Sequence, residues 1–250
     1  MLQIRAFRKS IFYMFIVTAV MAVGSRFWHA QHLIVPLPNT GYIDNTELAI
    51  PLLLVFPLSF ILYDNFEIEL SLVCGVKTAK LMLTKALAYF IYGVIPMVVL
   101  VFLFKYQEFV PAKGTKMIIP VHVPDNYRVY MLISMLVTMF FFAAVTVFFR
   151  VLSRNCYVPI VVGMFLHTTF SAINESIRRG MIDIRRCIFD PFISNYIISD
   201  HIPNNHYSNI PEMHNVWTYN RLLFFGIGAV LLVLSYILLR REKLHEGFGE

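Results

Sequence analysis

Charged residues are scarce in this sequence. Only 14% of its 250 residues are Asp, Glu, Lys or Arg, whereas 58% are hydrophobic. An ordinary soluble domain carries about 25% charged residues. The composition therefore excludes a typical soluble protein and predicts an integral membrane protein, with residues 1–250 forming a single transmembrane domain.

Cysteine is also rare, and its placement excludes two kinds of site. Cys74, Cys156 and Cys187 are odd in number and lie in different segments. They form no C-x-x-C pair and no convincing disulfide framework. We therefore predict neither a redox centre nor a metal centre built on cysteine.

The chain lacks the phosphate-binding sequence G-x-x-x-x-G-K-[ST], whose backbone amides cradle nucleotide phosphates. Lys77 and Thr78 follow Gly75, but the second glycine and the required spacing are missing. We therefore expect no cofactor on this chain. Any ATP and Mg²⁺ that it depends on would be bound by another polypeptide.

Long uncharged runs are the main positive feature. A bilayer crossing needs about 20 mostly apolar residues. The runs are Ser10–Ser25, Leu48–Tyr63, Ala86–Phe104, Tyr130–Phe149, Cys156–Ile173 and Leu222–Leu239. They predict an all-α polytopic protein with six transmembrane helices, at about 10–30, 46–63, 86–104, 130–149, 156–175 and 220–239. Arg26, Phe27 and Trp28 form an interfacial anchor after the first run, which favours an uncleaved first span over a signal peptide.

The basic residues indicate an orientation. Eleven of the 21 lysines and arginines lie on the side of the two termini. The long connection between spans five and six holds four of the other ten, and long connections carry little weight in this comparison. Both termini are therefore predicted to be cytoplasmic, in a multi-pass protein of the cell membrane. Since the basic residues cluster at segment ends, we expect contacts with membrane lipid and none with nucleic acid.

The predicted cytoplasmic stretch Asp64–Lys85 has an unusual order of charges. It begins with acidic residues, which suit the positive end of a helix dipole, and continues through an apolar run to a turn at Gly75. A basic helix start follows, with Thr78 as its expected cap. Two interpretations remain open: an amphipathic helix with snorkelling lysines, or a short helix that docks into a groove on a partner.

The same stretch resembles the segment between spans two and three of ABC-2-type transporter permeases. The matching positions are Glu69, Leu70, Leu72, Gly75, Val76, Leu81, Leu83 and Lys85. Two features depart from the family pattern. The usual turn residue is proline, and the usual basic pair is represented by Lys77 and Lys80, one residue out of step. Six spans in about 250 residues and a basic end after the last span extend the resemblance along nearly the whole chain.

The resemblance implies a cytoplasmic coupling helix seated on an ABC ATPase subunit. Its contact residues would be Glu67, Glu69, Leu70, Leu72, Gly75, Lys77 and Lys80. It also implies a second permease copy or a sister permease, and export by alternating access. Amphipathic peptides, bacteriocins or antibiotics would be the cargo, with resistance to antimicrobial peptides as the outcome. No catalytic residue is expected on this chain.

The connection Asn174–Asn220 is the longest predicted non-spanning piece. Apolar residues from Ile173 to Ile188 recur close to a 3.6-residue period, with arginines largely on the other side. This pattern predicts an amphipathic helix that extends from span five and lies in, or dips back into, the outer leaflet. Its basic residues would grip headgroups or, as the resemblance implies, belong to a lid over the export path. They are Arg178, Arg179, Arg185 and Arg186.

Two other kinds of site were weighed. An intramembrane hydrolase or protease would use the region of His167, Ser171 and Glu175, where His167 and Ser171 share one helical face. The H-E-x-x-H signature is absent, and we expect His167 to hydrogen-bond across helices instead. A metal site would draw on His122, His201, His206 and His214. Their spacing fits no metal motif, so an ordinary polar loop is expected. The predicted spans hold almost no charge, which argues against an ion-coupled carrier.

Overall fold

A computed structural model describes residues 55, 58–60, 78–103, 107–111, 118–122, 126–178, 188–192 and 213–246. Its long helices are α1 (Thr78–Leu103), α2 (Asn126–Ser153), α3 (Tyr157–Arg178) and α4 (Met213–Glu246), and its strands are β1 (Gln107–Pro111) and β2 (Ile118–His122). Among the described residues, three stretches of helix are long and apolar enough to cross a membrane. They are Arg128–Ser153, Tyr157–Asn174 and Asn215–Leu239. The protein is therefore embedded in a membrane.

The predicted runs match these helices closely in the second half of the chain. The fourth, fifth and sixth runs are confirmed as helices of membrane-spanning length. The third run also lies almost wholly within a helix, α1. The first run falls outside the described residues, and the second is described only at helical residues 55 and 58–60. Six spans remain a prediction.

The structure also contains a β-hairpin, which the expected all-α fold class did not include. Strands β1 and β2 pair antiparallel, with Phe109 opposite Pro120. The proline and glycine content of Lys105–Arg128 predicts turns and irregular backbone, and this prediction did not include the hairpin. Both strands are rich in β-branched or aromatic residues, which favour extended backbone. Pro120 is tolerated because each strand of a two-stranded hairpin has a free edge, where a missing N–H breaks no ladder bond.

Helix α2 lies at the centre of the described bundle. Of its spanning stretch, 61% is buried, compared with 22% for α4 and 17% for α3. It packs most extensively against α4, and also against α3 and α1. At Gly228 the two helices approach so closely that an added Cβ would lie 2.7 Å from Cε1 of Phe140. Small residues allow such close approach between membrane helices.

A compact turn joins α2 to α3. Arg154 adopts a left-handed backbone conformation (φ 54°), and its N–H donates to the carbonyl of Arg150 at 3.1 Å. This geometry closes the end of α2. The side chain of Asn155 then accepts a hydrogen bond from the N–H of Tyr157 at 2.8 Å and caps α3. The short segment Arg150–Asn155 predicts a turn between the fourth and fifth spans; the turn is present, but α2 runs to Ser153 and the turn itself is Arg154–Cys156.

Hydroxyl groups within the helices bond to their own backbone. Thr146 donates to the carbonyl of Phe142 and Ser235 donates to that of Leu231, each at 2.7 Å and four residues back. A bilayer offers no water to satisfy polar groups, so this local bonding lets hydroxyls sit in an apolar helix.

Candidate functional site

Residues Ile188–Phe192, which we call the strap, lie between α3 and α4 in sequence and pack back among the helices. Asp190, Pro191 and Phe192 are buried. The strap holds only a short 3₁₀ turn at residues 188–189, so most of its backbone carbonyls have no helical partner. Buried carbonyls of this kind need donors from neighbouring side chains.

Helix α4 supplies several of these donors through two adjacent residues. The side-chain amide of Asn220 donates to the carbonyl of Ile188 at 2.9 Å and to that of Asp190 at 2.7 Å. Nη2 of Arg221 donates to the carbonyl of Pro191 at 2.8 Å. Three of the five backbone carbonyls of the strap are thereby bonded to one face of α4.

Arg221 also joins α4 to α2. Its Nη1 donates to the carbonyl of Ser134 at 2.9 Å and to Oγ1 of Thr138 at 3.1 Å. Its Nε donates to Oδ1 of Asn220 at 2.8 Å, and Nη2 contacts the same oxygen. Thr138 in turn donates to the carbonyl of Pro191 at 2.7 Å. Arginine suits this position because its planar fork offers five donors in fixed directions. Such bonds are what make a buried charge tolerable.

Helix α3 reaches the strap through Asn174. The side-chain Nδ2 of Asn174 donates to Oδ2 of Asp190 and to the carbonyl of Phe192, both at 2.7 Å. The other carboxylate oxygen of Asp190 accepts the N–H of Phe192 at 2.9 Å, which holds the strap in a local turn. The wholly buried carboxylate of Asp190 therefore links the strap's own backbone to α3.

Aromatic rings enclose this polar cluster. The ring of Phe192 stacks on that of Phe142 with centroids 6.1 Å apart, and it meets the ring of His167 edge-on at 5.7 Å. One turn earlier in α4, Nε1 of Trp217 donates to Oγ of Ser134 at 2.8 Å. The rings exclude water and so strengthen the hydrogen bonds inside the cluster.

The described spanning stretches hold few charges, but one of these charges lies at the centre of the site. Arg221 is only 4% exposed and lies inside the apolar stretch Asn215–Leu239 of α4. The sixth uncharged run begins at Leu222 and the predicted helix at about residue 220, whereas α4 begins at Met213. The sequence does contain a signal that the last helix starts earlier. The i, i+3, i+4, i+7 spacing of one helical face is followed by Trp217, Asn220, Arg221 and Phe224, and all four are buried.

The predicted coupling residues fall largely outside the described residues. Lys80 lies in the first turn of α1, which begins at Thr78, the residue predicted to cap it. The other six predicted coupling residues are not among the described positions. They are Glu67, Glu69, Leu70, Leu72, Gly75 and Lys77.

The predicted extension of span five is described in part. Helix α3 continues past Ile173 and ends at Arg178. Arg179, Arg185 and Arg186 lie outside the described residues. Their predicted role, in binding headgroups or as part of a lid over the export path, stays a prediction.

The residues of the hydrolase alternative, His167, Ser171 and Glu175, all lie on α3. Oγ of Ser171 is buried and makes no hydrogen bond within the described part of the chain. It therefore receives no activation from His167, although a serine nucleophile needs a hydrogen-bonded base. Glu175 lies one turn further along the same helix.

The four histidines of the metal alternative are only partly described. His122 lies in β2 and His214 in the first turn of α4, whereas His201 and His206 fall outside the described positions. Among the described residues no group of three or more His, Cys, Asp or Glu side chains is placed to hold a metal ion.

Comparison of the chain with models of protein families, with curated proteins and with solved structures found no match. Function is therefore argued from the residues and the site.

Proposed function

We propose that this chain is the membrane-spanning permease subunit of an ATP-driven exporter of the ABC-2 type. The strap is the observation that carries the proposal. It is a largely non-helical segment between the fifth and sixth predicted spans, and hydrogen bonds hold it among the helices. A piece that re-enters the membrane at this point is what the resemblance to ABC-2-type permeases implies. The strap's burial and hydrogen bonds support the same arrangement.

The physical cost of the strap supports a functional role over simple anchoring. Non-helical backbone at membrane depth is tolerated only where protein buries it or where it lines a cavity. A buried arginine, a buried aspartate and two asparagines hold the five residues of the strap in place through hydrogen bonds. A plain surface loop could connect α3 and α4 without burying these polar side chains.

The proposal includes partners and an energy source on other polypeptides. An ABC ATPase subunit binds ATP and Mg²⁺, and the segment containing Glu67 and Glu69 rests on it. A second permease copy or a sister permease completes the pathway, through which amphipathic peptides, bacteriocins or antibiotics leave the cell. Both termini lie in the cytoplasm. The resemblance in the segment Asp64–Lys85 and the absence of a phosphate-binding loop support this division of labour.

A photo-crosslinking amino acid at Glu69, in cells that produce the chain natively, tests the proposal. We expect it to trap a protein whose sequence contains G-x-x-x-x-G-K-[ST]. The same probe at Thr169, which is exposed on α3 and distant in sequence from the coupling segment, serves as the control and should not trap that protein. Crosslinks from Glu69 to lipid alone, or to proteins without that motif, would overturn the proposal.

A further inference from the structure

The hairpin of β1 and β2 stands clear of the helices. Neither strand packs against any of the four long helices that the structure describes. The base of the hairpin is fixed where Nη1 of Arg128, near the start of α2, donates to the carbonyl of Phe102, near the end of α1, at 3.2 Å. A two-stranded hairpin alone is marginally stable in water, and additional strands stabilise it. The outer edges of the two strands are therefore where a further strand would bind.

The two prolines of the hairpin show which backbone groups point outward. In an antiparallel pair, residue pairs that exchange both hydrogen bonds alternate with pairs whose N–H and C=O groups point away from the other strand. Pro111 and Pro120 have no N–H and lie in pairs two positions apart in the register, so both belong to the second kind. The outward groups of β1 are therefore those of Gln107, Phe109 and Pro111.

The two edges of the hairpin differ in what they can bind. On β2 the middle outward position is Pro120, so this edge lacks its central donor, and proline at such a position prevents further pairing. On β1 both Gln107 and Phe109 keep an outward N–H and C=O, and only the last position is proline. In the described part of the chain no other strand pairs with β1. The edge of β1 is therefore the one suited to accept a strand.

We propose that the edge of β1 pairs antiparallel with the edge of β1 in a second copy of this chain, giving a four-stranded sheet in the order β2-β1-β1-β2. An antiparallel edge is complementary to itself under a two-fold rotation, because each outward N–H then meets an outward C=O of the identical strand. Two copies in one bilayer are related by an axis along the membrane normal, so the sheet lies parallel to the membrane surface. The inference does not rest on the proposed transport function, because it concerns the backbone of the hairpin alone.

The charge of Glu108 selects the register of this pairing. With Phe109 on the two-fold axis, its N–H and C=O bond to Phe109 of the partner subunit, and Gln107 donates to the carbonyl of Pro111 of the partner subunit. Glu108 then lies opposite Val110 of the partner subunit. A register with Glu108 on the axis makes as many hydrogen bonds, but it places two carboxylates directly opposite each other, which is destabilising. The register centred on Phe109 is therefore expected.

A cysteine at the axis tests the pairing. In a chain whose three native cysteines are replaced by alanine, Phe109→Cys should link two copies when membranes are treated with a mild oxidant. Opposed Cα atoms in such a pair are about 5.5 Å apart, which a disulfide can span. Val121→Cys, on β2 of the same hairpin, is the matched control and should not link. Its counterpart in the second copy lies three strand spacings away, about 14 Å.

A mixed pair tests the register while leaving Phe109 in place. Copies with Glu108→Cys and copies with Val110→Cys, carrying different tags, are produced together. We expect the mixed disulfide to form in preference to either self-linked product, because positions 108 and 110 are opposed only across the axis.

A backbone variant separates strand pairing from chance collision. Gln107→Pro removes an outward N–H from each copy and no bond between β1 and β2, so linkage at position 109 should fall about tenfold. Gln107→Ala keeps the N–H and should leave linkage unchanged. The proposal is overturned if neither position 109 nor the mixed pair links, if position 121 links as readily, or if Gln107→Pro has no more effect than Gln107→Ala.

Discussion

The guanidinium of Arg221 holds three parts of the molecule together: α4, α2 and the strap. Its burial makes those bonds necessary, since an unpaired charge in an apolar interior is costly. The neighbouring amide of Asn220 orients it by accepting from Nε. At the residue scale, therefore, the fold of the site depends on a few polar side chains set in an apolar bundle.

Replacement of Arg221 should destabilise the protein far more than replacement of another arginine. Arg221→Leu removes one donor from each of the carbonyls of Ser134 and Pro191 and the guanidinium donors from Oδ1 of Asn220. We expect a loss of about 3 kcal/mol or more in the free energy of unfolding. Arg128→Leu is the matched control. Arg128 is partly exposed and bonds to the carbonyl of Phe102, so about 1 kcal/mol or less is expected. Reversible unfolding in mixed micelles measures both, and equal losses would contradict the role given to Arg221.

At the scale of elements, the pairing of α2 with α4 supports the site. Gly228 permits the close approach, because an added Cβ would lie 2.7 Å and 2.9 Å from two ring carbons of Phe140. The ring is stacked on that of Phe225 at 5.0 Å, which restricts how far it can move. A residue with a Cβ at position 228 would therefore require the Phe140 ring or the helix to shift.

Two glycines on α4 give a matched pair of variants. Gly228→Ala should cost about 1–3 kcal/mol in the free energy of unfolding, because the new methyl group forces Phe140 or the helix to shift. Gly226→Ala meets no atom within 4 Å and should be neutral or stabilise by up to about 1 kcal/mol through helix propensity. The same micelle assay compares them. A Gly228→Ala protein as stable as Gly226→Ala would show that the close approach is unimportant.

Sequence reasoning located the apolar elements well because length and apolar composition determine them locally. Helices α2, α3 and α4 contain almost all of the fourth, fifth and sixth predicted runs. The start of α4 was predicted at about residue 220 and lies at Met213, because polar residues precede the uncharged run. Only the face that Asn220 and Arg221 share with Trp217 and Phe224 marks this part as buried helix. The hairpin was missed for a related reason, since Pro111 and Pro120 suggested irregular backbone.

At the scale of the whole molecule, local sequence patterns could not predict the position of the strap. Its position depends on bonds from Thr138 and Arg221, which are 53 and 30 residues from Pro191 in sequence. No spacing within residues 188–192 encodes such contacts. Residues 179–187, where most of the predicted amphipathic helix would lie, fall outside the described residues, so the expected re-entrant piece stays a prediction. The coupling segment and the four arginines of the outer connection remain predictions, apart from the placement of Lys80 in α1 and of Arg178 at the end of α3.

ATP turnover in lipid nanodiscs tests the proposed function most directly. The chain alone should show no hydrolysis above empty discs, because it carries no phosphate-binding loop. Combined with the ATPase subunit trapped from Glu69, it should change that subunit's turnover, and reversal of charge at Glu67 and Glu69 should abolish the change. Sustained hydrolysis by the chain alone, or a partner whose turnover is the same with and without it, would contradict the assignment as the permease of an ATP-driven exporter.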